Sequence, residues 1–342
     1  QDDNRVLLRG LLEGMSRGGA SRTPNQQKIG DYYAACMAEA DLDRRGAAPL
    51  VPQLEAIASI SSVSDLARVV GGSHRSMLVL NPILFSLRAE QDARNSSDTI
   101  ASVDQSGLGL PDRDYYLKDD AKSVALRAQY VTHVAGVLQV LGDTPTGAAE
   151  GAQSILRIET ELARGHMSRV DRRSPENTYH RLARARLVEL APSWPWDRYF
   201  QQMGIEAIVD LNVSSPGYFA VLERQLNSVP LNDWKTYLRW HTARLASPYL
   251  SAPFVNADFA FFSKTLTGAQ ELQPRWKRCV NRVDRQLGEA LGEVYVEKYF
   301  SADTRARTLR MVRQIEVAMA EDINGLQWMS SDTKSQALDK LN

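Results

Sequence analysis

The sequence predicts a mainly α-helical protein: a large multi-helix domain with a small β-hairpin insertion. Three observations carry that expectation. Apolar residues recur at three- and four-residue spacing through most of the 342 residues, which is the helical period. Strand-like runs are confined to one stretch, residues 83–105. Prolines and glycines, among them Gly142, Pro145, Pro192, Pro216 and Pro230, stand between periodic segments and mark their boundaries. No fixed period repeats, so a solenoid is set aside.

The elements follow in order. Residues 4–16 read as a helix with Leu8, Leu11, Leu12 and Met15 on one face, and 17–24 as a Gly/Ser-rich break. Residues 27–42 form a second helix carrying Ile29, Tyr32, Tyr33 and Cys36, with Gly46 closing it. Two short helices are expected at 49–60 and 63–70, the second capped by Ser62 or Ser64 and stopped by Gly71-Gly72. Residues 83–89 and 99–103 read as two strands joined through the polar stretch Gln91 to Asp98. The segment 107–117, GLGLPDRDYYL, is a loop whose shape its glycines and proline restrict. Helices are then expected near 119–142, 146–164, 177–191, 215–228, 231–246, 256–266, 275–300, 303–324 and 331–342. Pro274 suits the first turn of the 275–300 helix, where a missing N–H costs nothing. Its apolar face runs through Trp276, Cys279, Val280, Val283, Leu287, Leu291, Val294 and Tyr295. A helix of about 25 residues is about 40 Å long, enough for the central strut of a domain.

Composition narrows the partners. Apolar residues make up 43% and charged residues 24%, with 41 Lys+Arg against 41 Asp+Glu, an ordinary globular balance. A net charge of zero argues against nucleic acid or an anionic membrane as the main partner. No run of about 18 apolar residues is present, so no membrane span is expected. The first residues, Gln1-Asp2-Asp3-Asn4-Arg5, do not form a signal peptide. The two cysteines, Cys36 and Cys279, lie on two amphipathic helices. Either those helices are neighbours and the cysteines are bonded, or both are buried free thiols. A bond would close a loop of about 240 residues and stabilise by about 5 kcal/mol on the chain-entropy estimate.

A search for chemistry returns little within these residues. His74, His133, His166, His180 and His241 include no pair two or four residues apart, the spacing that lets two imidazoles on one helix meet a zinc ion. They are expected as surface or hydrogen-bonded core residues. No phosphate loop, dinucleotide fingerprint or nucleophile elbow occurs. Asp112 and Asp114 lack the twelve-residue calcium pattern and are expected to pair with neighbours of Arg113 or to cap the next helix. Asp171-Arg172-Arg173 could clamp a carboxylate ligand, but an internal ion pair tying a loop is the favoured reading. Trp194, Trp196, Tyr199 and Phe200, and Phe254, Phe259, Phe261 and Phe262, are expected as packing rather than a ligand cage. Asn95-Ser96-Ser97 and Asn212-Val213-Ser214 fit the N-glycosylation tripeptide.

Seven stretches taken together resemble one family, the neprilysin-type zinc metallopeptidases, which include neprilysin and the endothelin-converting enzymes. They are KIGDYYAACM at 28–37, the 107–117 loop, IETELA at 158–163, Asp171-Arg172-Arg173, SPYL at 247–250, RWKRC at 275–279 and WMSSDTK at 328–334. Their order and spacing run with the family over essentially the whole chain. The resemblance implies that residues 1–342 are the helical lid domain of a two-domain metallopeptidase and restrict access to the active-site cavity. It implies that the zinc-binding catalytic domain lies beyond this chain, because none of that domain's His-Glu-x-x-His helix, third ligand or substrate-holding strand is found here. No catalytic, metal or substrate-binding residue therefore transfers to a position in this sequence. It implies zinc as cofactor of the whole protein, the C-terminal catalytic segment and short peptides as partners, and a bond between Cys36 and Cys279. With that bond the resemblance implies a periplasmic or extracellular location. A concave face lined by loops of this chain is expected. The rival reading is a non-catalytic peptide-binding or scaffold protein.

Overall fold

The computed structural model describes residues 2–18, 22–76 and 82–341, and has seventeen α-helices and four short strands among them. In order they are α1 (Asp2–Ser16), α2 (Pro24–Met37), α3 (Glu39–Arg45), α4 (Val51–Ala58), α5 (Val63–Ser76), β1 (Phe85–Gln91) and β2 (Thr99–Gln105). Then come α6 (Asp114–Leu117), α7 (Ala121–Val140), α8 (Pro145–Gly165), α9 (Pro175–Thr178), β3 (Arg181–Ala183), α10 (Arg184–Leu190), α11 (Trp196–Met203) and β4 (Asp210–Val213). The last are α12 (Pro216–Ser228), α13 (Leu231–Ala246), α14 (Ala252–Asp258), α15 (Arg275–Tyr299), α16 (Ala302–Gly325) and α17 (Ser331–Leu341). The mainly α-helical class with a small sheet is therefore what the chain adopts.

The chain divides into two compact units, a division the sequence does not announce. One is continuous, Glu39–Leu272; the other is discontinuous and joins Gln1–Ala38 to Gln273–Asn342.

In the discontinuous unit, α1, α2 and α15 pack together around Leu12, Ile29, Tyr33, Val280 and Val283. Thr23 and Gln26 form a reciprocal capping box at the start of α2, with Pro24 in its first turn. Gly30 lets α1 approach α2, since a Cβ there would lie 2.5 Å from the Met15 carbonyl oxygen. Cys36 and Cys279 are bonded, with an S–S distance of 2.05 Å and 243 positions between them. The apolar face expected on α15 is the buried one, but the strut is not one straight rod. Leu287, beside Gly288, leaves helical geometry at φ −129°, ψ 27°. The 17–24 break falls partly on residues 19–21, and the last residue expected in the final helix is 342; both lie outside the described residues.

In the continuous unit, α5, α7, α8 and α11 to α13 surround one core. Trp194, Trp196 and Tyr199 are buried there in edge-on and tilted contacts with Phe85, Trp196 also meets Phe219, and buried Phe200 packs on Trp196 and Tyr199, so this aromatic set is packing. The Phe259–Thr265 stretch is a π-helix continuing α14, and Phe261 stacks on His133 at 4.9 Å. Ser62 is the residue that caps α5, its Oγ accepting from the Asp65 N–H at 3.1 Å.

Three expectations are corrected. Gly71-Gly72 do not stop α5, which runs on to Ser76. They serve close packing instead: a Cβ on Gly71 would meet Gln202 Cβ at 3.1 Å and the Tyr199 carbonyl oxygen at 3.2 Å. The 177–191 helix is three pieces, α9, β3 and α10. The hairpin is not the only β-structure. β1 and β2 form the expected hairpin, shifted to 85–91 and 99–105 so that Gln91 pairs rather than loops, with register from Phe85↔Gln105 to Gln91↔Thr99; β4 adds parallel to β2 and β3 pairs antiparallel with β4, giving the order β1-β2-β4-β3.

Candidate functional site

The most organised polar region of the continuous unit is the 107–117 loop and what holds it. Two glycines let it pass over a buried floor. Gly107 takes φ +87°, and a Cβ there would sit 2.6 Å from the Tyr237 hydroxyl; a Cβ on Gly109 would sit 1.8 Å from that of Tyr130. Beneath Gly109 lies Glu159 on α8, with no exposed surface. Tyr116 and Tyr130 each donate to its Oε2 at 2.8 Å, and His241 Nε2 lies 2.8 Å from its Oε1. The Trp240 indole N–H donates to the Tyr130 hydroxyl at 3.0 Å, and the Leu110 N–H to the Tyr116 hydroxyl at 2.7 Å. Burial lowers the pKa of His241 and raises those of Tyr116 and Tyr130 well above the usual tyrosine range, with the Glu159 charge adding to the two tyrosine shifts. The network is satisfied by its own members.

A second set of bonds fixes the entry to the hairpin. Leu84 has φ +63°, a strained setting for a branched side chain. The Tyr237 hydroxyl receives the Leu84 N–H and donates to the Gly107 carbonyl, while the Tyr218 hydroxyl donates to the Leu84 carbonyl. Two helices, α12 and α13, thus clamp the start of the loop to the residue that enters β1.

On the outer side, a cleft of about 350 Å³ lies between residues 105–114 and 166–172. Asp104, only 3% exposed, takes both guanidinium nitrogens of Arg172 at 2.9 and 2.6 Å, as well as the Ser215 hydroxyl at 2.8 Å. The hydrogen bonds to Asp104 raise the Arg172 pKa further. The favoured reading of Asp171-Arg172-Arg173 holds for Arg172, which clamps a carboxylate of this chain. Asp112 pairs with Arg169 at 2.7 Å and accepts the Asp114 N–H, while Asp114 pairs with Lys118 at 3.0 Å. Arg113 itself turns to the His166 carbonyl at 2.8 Å. A further open groove of about 970 Å³ runs between α7, α8 and α13.

Of the two glycosylation tripeptides, Asn95 is exposed in the hairpin loop, but Asn212 is 5% exposed and its amide donates to Thr178 and Ser214 inside the sheet. Among the described histidines, His166 and His241 are buried and His74 is half-buried, all three hydrogen-bonded, and the His180 backbone N–H donates to Asn212 Oδ1. The hub role of Glu159 was missed from the sequence. Its signal was available, since an acidic residue stands on the apolar face of α8 between Ile155 and Leu162.

The donor set does not suit a metal ion. Among the described residues no three His, Cys, Asp or Glu side chains cluster so as to hold one, and the nearest approach, Glu159 with His241, is a pair whose carboxylate is filled by tyrosines. The arrangement holds shape.

The model of Peptidase family M13 matches residues 1–342, and the chain belongs to that family. It is 29% identical to endothelin-converting enzyme 1 of Rattus norvegicus over 99% of this chain and 45% of that protein, and 29% identical to the Homo sapiens enzyme over 44% of its length. It superposes on the crystal structure of Mycobacterium tuberculosis zinc metalloprotease ZMP1 in complex with inhibitor with a TM-score of 0.89 at 32% identity, over 100% of this chain and 51% of that one. PEPO from Lactobacillus rhamnosis HN001, at 18% identity and a TM-score of 0.82, shares the fold. The chain therefore spans about half the length of the relatives it matches. No helix of the described residues is long and apolar enough to cross a membrane, and the Cys36–Cys279 bond fits an oxidising compartment.

Proposed function

We propose that this chain is the N-terminal portion of a zinc metalloendopeptidase that hydrolyses short peptides, and that it forms the helical lid over the active-site cavity of the whole protein. The family match across residues 1–342, together with the 51% coverage of a zinc metalloprotease, supports this most directly. The zinc ligands would belong to residues outside this chain. The part played here is steric. A lid that admits only short or unfolded peptides has to keep its shape while substrate presses on it, and the Glu159 network, the clamped 107–117 loop and the Asp104–Arg172 pair resist deformation. We further propose that the C-terminal catalytic segment of the same protein is the partner and that the protein works in the periplasm or outside the cell.

The test is peptide cleavage and zinc content, measured on this chain alone and on the full gene product. The full product is expected to bind about one zinc and cleave short peptides, while the chain alone does neither. Cleavage by the chain alone would contradict the proposal. A full product without zinc or cleavage would leave the non-catalytic peptide holder in its place.

A further inference from the structure

The cleft between residues 105–114 and 166–172 holds one cation more than its own ion pairs use. Its charged lining is Arg113, Arg169 and Arg172 against Asp112 and Asp114. Arg172 is held by Asp104, Arg169 by Asp112, and Asp114 by Lys118. Arg113 is left over, and no carboxylate among the described residues forms an ion pair with it. Its Nη1 donates to the His166 carbonyl. Its Nε is buried, and neither Nε nor Nη2 has a hydrogen-bond partner among the described residues. The side chain is half-buried. A guanidinium taken partly out of water without a counter-charge is costly, and it pulls on an anion more strongly than an exposed arginine does.

The walls beside it are apolar. Leu108, Leu110 and Pro111 come from one loop, and Met167 and Val170 from the other. Val170 is 70% exposed. At about 350 Å³ the cleft lies at the small end of the range for ligand pockets. We propose that it binds a small ligand carrying a carboxylate on an apolar body, with the carboxylate on the Nη2 end of Arg113 and the body against Leu108, Pro111 and Val170. The planar fork of arginine suits a carboxylate. A small inorganic anion would satisfy the charge but leave the apolar walls in water. The ligand class covers the last residue of a short peptide and a free acyl-amino acid alike. Arg172, the carboxylate clamp suggested by the Asp171-Arg172-Arg173 motif, takes no part, because Asp104 already fills it. The inference does not depend on the peptidase reading.

Hydrogen exchange over residues 105–118 and 166–173 of the full gene product tests it, with N-acetyl-leucine as the probe and N-acetyl-leucinamide as its uncharged twin. The acid is expected to slow exchange in both segments by about threefold once it is present at twice its Kd. The amide and inorganic phosphate are expected to bind about tenfold more weakly or worse, since one lacks the charge and the other the apolar body. Arg113→Gln should weaken the acid by about tenfold or more, and Arg113→Lys by less, because the charge stays while the fork is lost. Arg186→Gln, at an exposed ion pair on α10, should change nothing. No slowing in these segments overturns the proposal, whatever the acid does elsewhere in the protein. Equal responses to acid and amide overturn it too, and that comparison needs no variant to fold. Phosphate binding as tightly as the acid would overturn the ligand class, and an undiminished response in a folded Arg113→Gln protein would overturn the role of Arg113.

Discussion

The two units reach stability by different means. Glu39–Leu272 is a self-contained fold: large aromatics fill its core, and its buried polar groups around Glu159 and Asp104 are matched within the unit. The unit built from Gln1–Ala38 and Gln273–Asn342 has a small three-helix core, a covalent bond across 243 positions, and two final helices that bury nothing among the described residues. The lesson is that burial and covalent linkage substitute for one another. Where the core is thin and its strands of chain come from distant positions, closing the loop lowers the entropy of the unfolded chain and so raises stability.

Acidification is expected to separate the units most strongly. All five histidines lie in Glu39–Leu272. Burial holds His74, His133 and His166 down to about 4, against an ordinary value of 6.5. The folded pKa is the lower one, so the unfolded state takes up protons first. Stability is complete above about pH 6.5 and falls as the pH descends toward about 4, by up to about 3 kcal/mol for each imidazole. Fluorescence of the buried tryptophans of this unit should report unfolding in that window, while exchange of the α1, α2 and α15 amides lags behind. Simultaneous loss in both units would erase the contrast.

The disulfide acts on the other unit. Cys36→Ser with Cys279→Ser is expected to cost about 5 kcal/mol, the chain-entropy value for so long a loop. Denaturant titration followed by exchange should place the loss in α1, α2 and α15. An undiminished midpoint would show that the three-helix core suffices without its covalent bond.

Somewhat smaller is the expected effect of Glu159→Ala, about 4 kcal/mol, because Tyr116, Tyr130 and His241 lose their shared partner inside the core. The loss should appear in Glu39–Leu272, with the α1–α2–α15 cluster unchanged. A loss under about 1 kcal/mol would mean that the network is incidental to the clamped loop.

Legibility followed the range of the interaction. The apolar face of α15, the existence of the hairpin and the boundaries of α8, α12 and α13 were readable, since each depends on residues a few positions apart. β3 and β4 were not, because three or four residues carry too short a period and their identity as strands comes from pairing with each other and with β2. The polar hub was half readable. Glu159 stands out on an apolar face, but nothing local says that Tyr116, Tyr130 and His241 converge on it.

The amino-acid order by itself determined the helical class, most helix positions, the hairpin and the family, because periodicity, caps and motifs are properties of neighbouring residues. Only the tertiary structure decided that Gly71 is a contact point rather than a stop, that Arg172 is spent on Asp104, and that the chain divides into two units with its first and last segments in one of them. Those outcomes depend on groups brought together from tens to hundreds of positions apart, and such meetings are selected by packing the whole chain at once.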